Sequence, residues 1–205
     1  MIRIILASRS AHWALAALLC AAGLSALIGT HVLRIELAPA RPEKLPLAEL
    51  CAILAATTLA IITRPRLWEW DRVAHTHRAR AVAAVVAATG VALPAACVLA
   101  VVPQLPDGTP WDWVLADILA LSATLWLATP FLGPLWSGLT TLLLWLLCGA
   151  LHNVQPDLTP YLPTSGYTEA EAHWPMTLVL IITALAVHLR TLGTVAGHRA
   201  REDPS

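Results

Sequence analysis

Charge is scarce in this chain. Aspartate, glutamate, lysine and arginine make up 13% of its 205 residues, against 58% hydrophobic residues, where an ordinary soluble domain carries roughly 25% charge. That scarcity, with a mean hydropathy of +0.68, excludes a soluble globular domain and points to an integral membrane protein. Cysteine is scarce too. Cys20, Cys51, Cys97 and Cys148 each sit inside an apolar run, with neither CxxC nor Cys/His spacing. They read as small core-filling residues and not as a disulfide framework.

The motifs of common chemistries are missing as well. No P-loop, dinucleotide fingerprint or HExxH occurs, so the chain reads as a non-enzyme with no cofactor and no nucleic-acid partner. His75 and His77 form an HxH pair. Residues two apart point to different sides of a helix and no third ligand lies near, so a metal site is not expected. "TSG" at 164–166 and "WSG" at 136–138 lack the Gly-x before serine that an intramembrane protease motif requires. There is no internal repeat and no room for a second folded domain, so residues 1–205 read as one transmembrane domain.

What the chain has is apolar runs. A spanning helix needs about 20 mostly apolar residues. Six segments meet or approach this: His12–Leu33, Leu45–Thr63, Ala81–Pro103, Trp111–Phe131, Gly133–Leu151 and Trp174–Leu192. The fold class is therefore an all-α, six-helix membrane bundle. The basic, apolar N-terminus lacks a small-x-small cleavage site, so an uncleaved first helix is expected. The fourth and fifth segments are separated only by Pro130, Gly133 and Pro134, which read as a short turn between antiparallel helices.

The charges that exist are unevenly spread. Arg3, Arg9, Arg64, Arg66, Arg72, Arg78, Arg80, Arg190, Arg199 and Arg201 fall in the segments on one side of a six-crossing topology. Arg34, Arg41 and Lys44 fall on the other. Under the positive-inside rule both termini are cytoplasmic, in a multi-pass protein of the plasma membrane. The outer connections are acidic and rich in proline and aromatic residues. The longest, 152–173, reads as an irregular or partly re-entrant loop.

Ionisable groups inside spans are expensive, so each needs a reason. Glu49 and Asp117 both lie within about two turns of an outer helix start, where water and the helix dipole account for a carboxylate. A proton- or cation-coupling role is the sharper alternative. His12 and His188 lie near the inner ends, where they are expected to snorkel or meet lipid phosphate. Ala17, Ala21, Ser25 and Gly29 are spaced four apart on the first helix. Such a stripe of small residues permits close packing within the bundle or against another subunit.

The most polar stretch is "RPRLWEWDRVAHTHRAR", residues 64–80, between the second and third helices. Its arginines follow from positive-inside sorting alone, but its Trp-Glu-Trp-Asp core does not. Read as a helix from about Leu67, it pairs Glu69 with Arg72 at interacting spacing. Trp and Arg are the residues most enriched at protein-binding hot spots, so a docking role for Trp68, Glu69, Trp70 and Arg72 is expected.

This layout resembles the half-size membrane permeases of ATP-binding-cassette exporters of the six-helix class. The short basic lead-in "MIRIILASRSAHW", the loop 64–80 and the long outer connection 152–173 carry the resemblance. It implies a separate ATP-binding subunit docked on loop 64–80, an oligomer of permease halves in the bilayer, and an amphipathic exported substrate. Two other readings compete. One is the substrate-binding component of an energy-coupling-factor importer, whose first-helix stripe would meet a partner. The other is a non-transporting accessory or sensor protein.

Overall fold

The computed structural model describes residues 11–37, 43–63, 77–106, 110–165 and 172–194, and the protein is mostly helical there. Six helices form. They are α1 (Ala11–Ile28), α2 (Leu47–Ile62), a composite α3, α4 (Asp112–Leu132), α5 (Pro134–Val154) and α6 (Trp174–Thr191). Helix α3 runs as His77–Ala92, tightens to a 3-10 turn at Leu93–Ala95, resumes over Ala96–Val101 and ends at Val102–Gln104. Four of the six, α3 to α6, are long and apolar enough to cross a membrane, while α1 and α2 are shorter apolar helices.

The first two helices depart from the sequence expectation for a local reason. Helix α1 ends at Ile28 and not at Leu33, because Val32–Ile35 leaves it as strand β1 and pairs antiparallel with β2, Glu43–Pro46. Val32 and Ile35 are β-branched and favour the extended state. Helix α2 starts at Leu47, two residues later than expected, because Pro46 is extended (φ −65°, ψ 130°) and a proline constrains the residue before it as well. At 16 residues and about 1.5 Å per residue, α2 is shorter than a bilayer core of about 30 Å. The buried Leu45 and Pro46 of β2 extend its apolar run toward the hairpin.

Successive helices alternate in direction. Helices α4 and α5 meet at Gly133, whose φ of +81° is a conformation glycine adopts without the Cβ penalty. Leu121 and Trp145, both twelve residues from that turn, share one core cluster. The Pro130–Pro134 break is therefore a turn between two antiparallel helices. Elsewhere, Gly138 near the start of α5 packs on Thr57 near the end of α2, and Thr177 near the start of α6 donates to Ala116 O near the start of α4. One end of the bundle thus carries the hairpin, and the other carries the Gly133 turn.

Helices α2 and α4 occupy the centre, since both contribute to all three buried clusters. Helix α1 lies against α2 and the upper arm of α3. The bend at Pro94, where the ring removes a backbone donor, accompanies that contact. Ser25 Oγ donates to Cys97 O at 2.8 Å, Gly29 packs on Val101, and Gln104 Nε2 donates to Ala26 O at 2.7 Å. The small-residue stripe of α1 is thus used within the bundle.

Candidate functional site

The hairpin end holds a polar centre buried beneath its loops. Glu49, on the first turn of α2, is 1% exposed, and Asp117, on the second turn of α4, is fully buried. Their positions along the helices match the sequence reading, but their surroundings do not. The expected access to water is closed. The segment 156–165 opens with a 3-10 turn at Pro156–Tyr161, and its end, Thr164 and Ser165, is buried at this site.

Four segments build this centre. Glu49 Oε2 accepts from Trp145 Nε1 of α5 at 2.5 Å. Asp117 accepts twice from Ser165, from the backbone N at 2.8 Å and from Oγ at 3.3 Å. The Cys148 side chain, one turn beyond Trp145, hydrogen-bonds with the Thr164 side chain. The Glu49 and Asp117 carboxyls lie close enough to interact electrostatically. One further contact holds the cover, with His173 Nδ1 3.1 Å from Leu162 O, while Asn153 Oδ1 of α5 accepts from Leu37 N at 3.0 Å and ties the end of the hairpin's first strand to α5.

The physical need for this bonding is plain. A buried polar group costs free energy unless it is hydrogen-bonded, and two carboxylates near each other in a dry site repel. Indole, hydroxyl and backbone N–H donors offset part of that cost. The arrangement can therefore hold two acids in an apolar bundle while fastening the cover to it. Among the described residues no three His, Cys, Asp or Glu side chains gather as metal ligands would.

Sequence reasoning located the two acids but not their convergence. It gave Trp145 no role, read Cys148 as core filling and set Ser165 aside with a discarded protease motif. The available signal was Trp145 itself, a tryptophan in the body of an apolar segment whose indole N–H needs a partner when buried.

The histidines divide. His12 is exposed beside Trp13, with ring centroids 5.5 Å apart. His188 does not snorkel. It is 2% exposed, its Nδ1 lies 3.1 Å from Ala184 O, and it packs on Trp126 at 5.4 Å between centroids. The four cysteines are free thiols, with Cys51, Cys97 and Cys148 buried as expected and Cys20 exposed. Trp68, Glu69, Trp70 and Arg72 lie outside the described residues, as does His75. No family model matches the chain, and no curated protein or solved structure matches it.

Proposed function

We propose that the chain is the membrane permease subunit of an ATP-binding-cassette transporter, with six crossings and both termini cytoplasmic. A separate subunit binds and hydrolyses ATP, and a second permease half completes the path. The chain itself carries out no catalysis.

One juxtaposition carries this reading. The alternation of the helices brings the end of α2 at Ile62 and the start of α3 at His77 to the Gly133 end, joined there by residues 63–76. Helix α1 also begins at that end, and α6 ends there. Ten of the thirteen basic residues belong to that end by sequence position, as the positive-inside rule requires of a cytoplasmic face. The Trp-Glu-Trp-Asp core belongs to the short sequence that links those two helix ends. Such a link is suited to passing a partner's motion to α2, a central helix of the bundle.

The hairpin end then faces outward, closed by the segment fastened through Asp117 and Ser165. In this reading Glu49 and Asp117 hold the outer cover shut, and an amphipathic substrate leaves past it. The importer reading depends on α1 presenting its small-residue stripe to a partner. That stripe packs on α2 and α3, which favours the exporter reading.

Affinity purification of the full chain in mild detergent tests the proposal. An ATPase subunit should co-purify, and its ATP hydrolysis should fall about tenfold or more when Trp68 and Trp70 are replaced by alanine, as loss of two hot-spot residues implies. If no ATPase is recovered and deletion of residues 67–77 leaves cellular function intact, the proposal fails. An accessory protein would recruit a partner without changing any ATPase rate.

A further inference from the structure

The hairpin end has a second feature, separate from the buried carboxyls. Between the end of α1, the hairpin, the upper arm of α3 and the start of α4 lies a half-open pocket. Its walls are almost wholly apolar and include Val32, Pro46, Val101 and Val114, with Trp111 and Trp113 beside them. Trp113 is held by a bond from its Nε1 to Pro110 O at 3.1 Å. Tryptophans in this position mark the level of lipid headgroups.

The hairpin register adds charge to that face. Val32 pairs with Pro46, Leu33 with Leu45, and Arg34 with Lys44. Side chains two apart on a strand lie on the same face. Arg34 and Lys44 therefore share the face that Val32 and Pro46 present to the pocket, about 7 Å further along. The alternate face is occupied elsewhere, since Leu45 and Ile35 pack on Gly149 of α5. The pairing sets two cationic side chains at one level of the hairpin.

We infer that this pocket binds an anionic phospholipid of the bilayer, with one acyl chain along the apolar wall and its phosphate at Arg34 and Lys44. Arg34 is exposed and free to reorient. Lys44 is half-buried and is engaged within the fold as well, so the guanidinium supplies most of the contact. Its planar fork suits phosphate oxygens. The open side of the pocket leaves the second acyl chain in the bilayer. The inference stands or falls independently of any ATPase partner.

The experiment uses the full chain in phosphatidylcholine vesicles. Brominated phosphatidylglycerol or brominated phosphatidylcholine is titrated in, and bromine quenching of tryptophan is followed. Two cations near the surface imply that the wild type prefers the anionic lipid by about tenfold or more. Arg34→Gln with Lys44→Gln should remove the preference, while Arg34→Lys with Lys44→Arg should keep most of it. Val114→Phe, which narrows the pocket and leaves both charges, should also weaken it. Equal quenching by the two lipids in the wild type overturns the inference. So does a preference that survives the double glutamine variant, or one that Val114→Phe leaves untouched.

Discussion

Trp145 and Trp126 are the same residue in nearly the same degree of burial, 2% and 3% exposed, and they do opposite things. Trp145 donates its indole N–H to Glu49 and so ties α5 to α2 beneath the hairpin. Trp126 Nε1 is buried with no hydrogen-bond partner among the described residues. Its ring lies over Gly90 of α3, where a Cβ would collide with it, and against His188 of α6. One tryptophan serves the bundle through a directed bond and the other through shape. The hairpin end is thus held by polar bonds between distant segments, whereas the opposite half is held by close apolar packing.

The strongest test of this contrast removes each ring. Trp145→Ala and Trp126→Ala should each destabilise the protein by about 3–5 kcal/mol, as deletion of a buried tryptophan does. Denaturant titration of the detergent-solubilised chain measures this. Trp145→Ala should be the worse, because it also leaves Glu49 without its indole donor.

A finer test trims both indoles alike, with Trp145→Phe and Trp126→Phe. Each loses the same ring volume and leaves a cavity, but only Trp145→Phe also loses a buried hydrogen bond to an acidic group. Trp145→Phe should therefore cost about 1–2 kcal/mol more than Trp126→Phe in the same assay. If Trp126→Phe costs as much as Trp145→Phe, the distinction between bond and shape is wrong.

The smallest effect belongs to the cover. Ser165→Ala removes the 3.3 Å hydroxyl bond to Asp117 and keeps the 2.8 Å backbone bond. It should cost about 0.5–1 kcal/mol. Protease or thiol-labelling access to positions near 165 should rise only slightly. A large rise would mean that the hydroxyl, and not the backbone N–H, closes the site.

Much of this architecture was legible beforehand. The six apolar segments correspond one for one to the helices, and Gly133 falls at the turn where the prolines and glycine placed it. The hairpin was not legible. "HVLRIEL" continues an apolar window, and hydropathy alone does not separate a strand leaving the bundle from the last turn of a helix. The acids were found but misjudged. Glu49 looked close to water because its helix had just begun, whereas in the fold a loop more than 100 residues away closes over it.

Composition and spacing alone settled that this chain is built of apolar helices and where its basic residues fall, because those follow from local runs of side chains. Only the packed structure decided that Glu49, Asp117, Trp145 and Ser165 meet, that the α1 stripe serves α2 and α3, and that Arg34 faces Lys44 beside an apolar pocket. Each of these joins segments distant in sequence or depends on strand register. Such convergence is set by which helices neighbour one another and how they are rotated, and no local run of residues encodes that.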